Sequence, residues 1–556
     1  MDLELNKQDF IVMSILFITC LVLSCYNLGA SQIPSTSWSS SGTCKITLKL
    51  HSPMDISSLY ALLSDGKTVE FSVFSGSPGN WSYTTTFRGS GYFQWLKVDI
   101  ERTSQHILLS FPGRSGNINE FLVTSNTEGI IDLESTVIIF DGANPDGVEN
   151  LFDEQRKLRL PITSFSQAYF DEIYFVRAAE DYIESREPYE WTHPPLGKLL
   201  IALGILFSGF SPFGWRILCV FFSALMLPVT YIFSLKIFQS RTAGFISGSL
   251  ILLDFMHFTM GRIGITETFA VFFNLVSCFF FYVNYRHIQY KGEIKKSAIL
   301  LGSIFFALAF STKWYTIFGL IGQISLILSI YLNSNKLENR FVLKIRNFIL
   351  NLIPVFLISF FASILIYFST YIPYMLQGHS LIDVYGLQWE MLRYHSTLME
   401  VHPYSSPWWS WPFNIRPLWL TIDFLQGDGV STVVAMGNPV IWWLGFLQVI
   451  SIAERAVRSK DKTSIFITVT FLSQWLPYAL MTRCLFIYHF YVNLPILILA
   501  ITLLLNEALK EGNRKKFVLT YLVATIVFAL FYPVISGHPI PSRYRLLLRW
   551  LPSWAF

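Results

Sequence analysis

An acidic pair, Asp171 and Glu172, opens the segment FDEIYFVRAAEDYIESREPYEWTHPPLGK (170–198), and His193 follows within it ahead of two prolines. Adjacent carboxylates beside an apolar membrane region can act as a base, hold a metal ion or form an ion site. The same pair also suits a plainer job, because the first turn of a helix favours acidic side chains through its dipole and its open N–H groups. Ile173, Val176, Ala179, Tyr182 and Ile183 recur behind it at helical spacing, so a helix is expected to begin here. His193 has a double reading too: a catalytic imidazole, or an interfacial side chain before the helix that Pro194 and Pro195 start. The apolar stretch LGKLLIALGILF behind them is short for a crossing and reads as a helix lying on the membrane surface.

What must position these residues is a membrane. The 556 residues are 52% hydrophobic and only 14% charged, where a soluble domain carries about a quarter. A net charge of +4 gives no reason to expect a nucleic-acid partner. The six cysteines show no CxxC or Cys/His spacing, so neither a disulfide framework nor a zinc site is expected.

Residues 10–28 form an apolar run of bilayer length. Its leader is acidic and no A-x-A site follows, so it reads as a retained first transmembrane helix within 1–30. From 31 to 147 the pattern changes to short β-rich runs such as TCKITLKL, TVEFSVF and WSYTTTF, divided by Gly, Ser, Asn and Pro. This predicts a β-sandwich outside the bilayer. Asn80-Trp81-Ser82 within it is a possible N-glycosylation acceptor. Residues 148–213 form a loop with surface helices, and 214–535 read as ten more spans. These lie near 214–235, 242–260, 266–284, 297–312, 314–332, 348–371, 436–453, 463–481, 485–505 and 517–535. A long link at 372–437 and a tail at 536–556 complete the chain.

Lys and Arg clusters such as RHIQYKGEIKK, KLENRFVLKIR and KEGNRKK fall on alternate links, which marks that side as cytoplasmic. Eleven spans then put the N-terminus inside, and the β-domain, the acidic pair and the 372–437 link outside. The tail SRYRLLLRW departs from the charge rule and is expected to lie along the outer surface.

FDEIYF, PYEWTHPPLGKLL, GWRI at 214, GRIGITE at 261, STKW at 311, HPYSSPWWSWP at 402, GNPVIWW at 437 and RCLFIYHFYVNLP at 483 occur in that order. Together they resemble the protein O-mannosyltransferases, a family of GT-C membrane glycosyltransferases, over about residues 170–533. The resemblance implies inverting transfer of mannose from a polyprenyl-phosphate (dolichyl-phosphate) donor to Ser or Thr hydroxyls of proteins at the extracytoplasmic face of the plasma membrane. It makes Asp171 the base and Glu172 its support. It also gives Arg216, Arg262, Arg483, Tyr488 and His489 a donor-phosphate or site-shaping part, Arg216 pairing with the lipid phosphate or holding a catalytic carboxylate, with Lys313 ranked behind Arg483. His193, Glu267, His402 and Tyr404 shape the site, although Glu267 stands where an Asp is usual. There is no Gly-rich nucleotide loop, which suits a lipid-linked donor. No metal is required by this reading, although outer carboxylates with Asp171 could bind a divalent ion. Membrane lipid and a second copy in a dimer are further expected partners. The 372–437 link is too short for the β-trefoil of the eukaryotic enzymes, and the early β-domain takes no role from the family. Two rivals stay open: the same fold with a lipid or glycan acceptor, and a polytopic transporter.

Overall fold

β-branched and aromatic residues alternate with polar ones between the first apolar run and the acidic pair, and there the chain pairs into strands. These are β1 (Cys44–Leu63), β2 (Thr68–Ser77), β3 (Asn80–Ser90), β4 (Gln94–Phe111), β5 (Ile118–Ser125), β6 (Gly129–Ile131) and β7 (Val137–Asp141). The computed structural model describes residues 3–126, 129–133, 136–142, 145–334, 341–425 and 427–554. The strand order is β3-β2-β4-β1-β5-β6, with β7 also on β1, and every pair is antiparallel. A sandwich was expected; hydrogen bonding joins all seven strands into a single sheet. Strands β1 and β4, at 20 and 18 residues, are long enough to meet different neighbours along different stretches.

One detail of β1 shows how a single strand serves one core throughout. Ile46, Leu48 and Ile56 are buried at even positions, whereas Leu59, Ala61 and Leu63 are buried at odd ones. Side chains alternate along a strand, so the parity must switch, and the register shift between Ile56 and Ser58 supplies the extra residue. Phe71, Val73, Leu109, Phe111 and Phe121 fill the same core.

This sheet belongs to one of two units, Gly29–Ile173 with Ser208–Gly214. The other comprises Met1–Leu28, Tyr174–Phe207 and Trp215–Phe556, and is helical. Its helices begin with α1 (Lys7–Cys25), α2 (Glu172–Ile183), whose first residues lie in the sheet unit, and α3 (Leu196–Ser208). They continue with α4 (Pro212–Phe238), α5 (Arg241–Leu252), α6 (Phe255–Met260), α7 (Glu267–Lys291) and α8 (Lys296–Phe310). Next come α9 (Ile317–Ser334), α10 (Phe341–Ser369), α11 (Ile372–Leu376) and α12 (Leu381–Thr397). The last are α13 (Pro439–Ser459), α14 (Lys462–Trp475), α15 (Leu494–Lys510), α16 (Arg514–Ser536) and α17 (Ser542–Leu547).

Among the described residues, eight helices are long and apolar enough to cross a membrane. The sequence expectation was eleven, and three of its spans correspond to shorter elements. The run at 242–260 is divided into α5 and α6 at Asp254, whose carboxylate caps α6 by accepting from His257 N at 3.1 Å. Helix α8 has 15 residues, and α14 has 14 before a 3-10 turn at Leu476–Leu480. The link at 372–437 holds α11, α12 and a small sheet of β8 (Leu418–Phe424) and β9 (Gly429–Ala435). The tail returns to this sheet as β10 (Ile540–Pro541), and buried Trp554 donates from Nε1 to Asn414 O at 2.6 Å.

Candidate functional site

The turn between α2 and α3 carries a buried knot of charge. Lys198, in the first turn of α3, is 1% exposed and uses all three ammonium hydrogens. It donates to Glu190 O at 2.6 Å, Glu190 Oε2 at 2.8 Å and His193 O at 2.8 Å. The other Glu190 oxygen accepts from the Thr192 hydroxyl and from His193 Nδ1, the latter at 2.9 Å. A buried charge is tolerated only when it is paired and hydrogen-bonded in this way. Burial alone would raise the Glu190 carboxyl, but Lys198 and His193 overcome it and hold it well below the usual carboxylate range. Burial, reinforced by Lys313, pushes His193 down to about 3. The imidazole is therefore neutral, and because an ionised Glu190 only accepts, His193 donates from Nδ1 and keeps a lone pair on Nε2.

Close approach holds α3 against its neighbours. A Cβ on Gly197 would lie 2.5 Å from the Thr266 side chain and 3.1 Å from that of Thr312, so glycine is the residue that fits. Leu196 N also donates to Ser311 O at 3.1 Å. This places the STKW segment beside the knot. Lys313 pairs with Glu267 at 2.9 Å and stands 5.0 Å from the centroid of the Phe175 ring, which packs 5.6 Å from His193.

A third side comes from α12 and the segment before α15. His395 donates from Nε2 to Thr192 O at 2.7 Å, and its Nδ1 is 2.7 Å from Arg483 Nη1. Its ring lies 5.0 Å from that of His193. His489 stacks on Tyr488 at 4.6 Å and on Trp411 at 6.0 Å, while Tyr478 meets it edge-on at 5.6 Å. His402 packs 5.1 Å from Phe486 and accepts from Tyr404 N at 3.2 Å, so both join this aromatic edge. Among the described residues, Arg483 Nε, the Tyr478 hydroxyl and Glu267 Oε2 are buried without a hydrogen-bond partner. Unmatched buried polar atoms are costly, and Arg483 Nε and the Tyr478 hydroxyl could donate to a polar group placed here.

Asp171 is half-buried directly ahead of α2, the helix that carries Phe175. Its predecessor Phe170 has φ +52, a left-handed conformation that a bulky residue adopts only under constraint. Glu172 is fully buried at the first position of α2 and accepts from Tyr169 N, in the turn before the helix, at 3.2 Å. Arg262 donates to Ser24 O at 3.0 Å, Tyr26 O at 2.8 Å and Asn27 O at 2.9 Å, and Arg216 donates to Leu28 O at 2.8 Å. Both arginines thus hold carbonyls at and beyond the end of α1, a role that cations fill well. Among the described residues, the carboxylate group with metal-ligand spacing is Glu120, Asp153 and Glu154 in the sheet unit, and it does not include Asp171.

Glu190, Lys198 and His395 were not singled out by sequence reading. The first two lie within the opening segment, where an acid and a base bracket His193 in apolar surroundings. That bracketing was the available signal. His395 offered none, since its partners lie 203 and 88 residues away.

Eight helices of bilayer length among the described residues belong to a multi-pass membrane protein, and its fold is that of the GT-C glycosyltransferases. A solved Saccharomyces cerevisiae protein O-mannosyltransferase Pmt1-Pmt2 complex bound to the sugar donor shares it, with a TM-score of 0.55 at 12% identity, over 69% of this chain and 89% of that one. Residues 206–372 match the family described as dolichyl-phosphate-mannose-protein mannosyltransferase, and 380–554 match the C-terminal four TMM region of protein-O-mannosyltransferase. The polyprenol-phosphate-mannose–protein mannosyltransferase of Mycobacterium tuberculosis is 24% identical over 429 residues, 65% of this chain and 80% of that one. Its Corynebacterium glutamicum counterpart is 24% identical over 465 residues, 70% of this chain and 89% of the other. The chain belongs to the protein O-mannosyltransferase family.

Proposed function

We propose that this protein transfers mannose from a polyprenyl-phosphate donor to Ser or Thr hydroxyls of proteins. The observation that carries this reading is the cluster of Lys313, Arg483 and Tyr478, which offers charge and unmatched donors to an anionic group beside apolar helices. Arg483 is the stronger phosphate candidate because its fork can present two N–H groups, whereas Lys313 supplies a point charge.

In the proposed reaction the acceptor oxygen attacks the anomeric carbon while its proton passes to Asp171. The bond from that carbon to the phosphate oxygen breaks, and the departing polyprenyl phosphate gathers negative charge. Lys313 and Arg483 offset that charge as it develops. Attack opposite the leaving group inverts the sugar centre. Glu172 supports Asp171 by fixing the start of α2, and Arg216 and Arg262 brace the end of α1. His193 and Glu267 hold the shape of the cluster, and Tyr488, His489, His402 and Tyr404 form its aromatic edge. The alternating Lys and Arg clusters support a cytoplasmic N-terminus and catalysis at the outer face of the plasma membrane.

Purified protein in lipid nanodiscs, given labelled polyprenyl-phosphate mannose and a Ser/Thr peptide, is expected to yield mannosyl-peptide. Label recovered only in a lipid product would overturn the protein-acceptor reading. Asp171→Asn keeps the shape but removes the base, and is expected to lower turnover by about 10²- to 10⁴-fold with donor binding retained. Unchanged turnover would remove Asp171 from the mechanism.

A further inference from the structure

We propose that His395 is a positioning residue that aims the Arg483 guanidinium at the donor phosphate while leaving its charge intact. This rests on the function proposed above. The geometry of the imidazole fixes its own tautomer from both sides. A backbone carbonyl can only accept, so the contact with Thr192 O at 2.7 Å requires a hydrogen on Nε2. A guanidinium can only donate, so the contact with Arg483 Nη1 at 2.7 Å requires a lone pair on Nδ1. A neutral His395 satisfies both at once, and no other tautomer does.

The ring is itself held. It sits in the last turn of α12, which starts with a Ser380–Asp383 capping box and buries Val384 and Met391. Gln388 of the same helix accepts from the Tyr367 hydroxyl at 2.6 Å. Tyr367 in turn receives Trp314 Nε1 at 3.0 Å, and the Trp314 ring lies 6.3 Å from His395. On its far side Thr192 belongs to the Glu190 knot. Arg483 is thus tied through one imidazole to two rigid parts of the unit.

The choice of histidine matters for the charge. Arginines are usually oriented by a carboxylate, which cancels much of the field a phosphate would feel. A neutral imidazole supplies direction without cancellation. Arg483 keeps its full positive charge, and its Nε hydrogen, buried and without a protein partner, stays available. Preorganised donors of this kind cost no reorganisation when the leaving phosphate forms.

The test compares His395→Ala, His395→Gln and His395→Glu in full-length protein in nanodiscs, reading donor and acceptor KM, turnover, and direct binding of polyprenyl phosphate. Gln offers an acceptor and a donor at a spacing similar to that of imidazole, so H395Q is expected within about threefold of wild type. H395A is expected to weaken donor kcat/KM and polyprenyl-phosphate binding by about 10- to 100-fold, the worth of one charge-assisted hydrogen bond, with acceptor KM unchanged. H395E is expected to bind the lipid phosphate more weakly than H395Q despite holding the arginine. The proposal is overturned if H395A binds and turns over like wild type, if H395Q is as poor as H395A, or if H395E equals H395Q. Should H395A fail to fold, the H395Q and H395E pair decides. Wild-type protein that binds polyprenyl phosphate but transfers no mannose to peptide would defeat the proposed function, while the binding series still judges His395.

Discussion

Two ion pairs in the helical unit have almost the same length, 2.8 Å for Glu190–Lys198 and 2.9 Å for Glu267–Lys313, yet they stand in opposite circumstances. In the first, all three ammonium hydrogens and both carboxylate oxygens have partners. In the second, one buried oxygen of Glu267 has none, and unmatched atoms of Arg483 and Tyr478 belong to the same cluster. Satisfied charge of the first kind fixes a turn in place. The second pair leaves polar atoms over, and the function proposed above gives it the binding role. On that reading the first pair is framework and the second is binding surface, a division that mutation can test.

The largest expected effect comes from breaking the satisfied pair. Lys198→Met leaves the Glu190 carboxylate buried without its cation, at a cost of about 3–5 kcal/mol. Thermal aggregation of purified protein should shift down by many degrees and yield should fall. The double variant Glu190→Gln with Lys198→Met removes both charges and should restore most of the stability. It should also recover turnover to a large extent, since the pair is assigned no contact with substrate. Full stability in K198M alone would show that the knot is not a framework.

The same cycle on the second pair is expected to behave differently. Lys313→Met should reduce turnover by about 10²- to 10³-fold, the usual cost of losing a group that stabilises developing charge. Its effect on stability should be smaller than that of K198M. Combining it with Glu267→Gln should repair whatever stability was lost but leave turnover low. Recovery of turnover in that double variant would turn Lys313 into a second framework residue and erase the contrast.

This contrast also explains what could be seen in the sequence. Apolar runs and alternating strands were legible because bilayer length and strand parity impose periods on the chain. The start of α2 was legible for the same reason, and the helix does begin at Glu172. Asp254 was hidden inside the run at 242–260, where one acid among apolar residues does not reveal a helix break. Its carboxylate also receives Trp442 Nε1 at 2.9 Å and Asn438 N at 3.1 Å, partners more than 180 residues away. The bonds from Arg262 to the carbonyls of Ser24, Tyr26 and Asn27 were equally hidden, because residue type does not show which backbone a guanidinium will meet. The knot escaped because a proline turn separates Glu190 from Lys198 with no period at all. Pairings across a fold leave no mark on local spacing, and the site is made largely of such pairings.

A third buried carboxylate sharpens the comparison at the smallest scale. Glu120 in the sheet unit is buried like Glu190 but pairs with no lysine among the described residues; it accepts from Gln155 and from Glu154 N at 3.1 Å. Burial therefore prevails, and its carboxyl is pushed up to about 8. The folded sheet then holds a proton that the unfolded chain has already released above its ordinary value of 4.5. Stability from this group is greatest below 4.5, falls as pH rises toward 8, and levels beyond it, by at most about 1.4 kcal/mol per pH unit. Hydrogen exchange of β5 amides in the intact protein, wild type against Glu120→Gln at each pH, reads this directly. The two should differ little at pH 5, and the wild type should exchange progressively faster relative to E120Q up to pH 8. Parallel behaviour across that range would mean that Glu120 is already ionised, and that a cation is not what distinguishes it from Glu190.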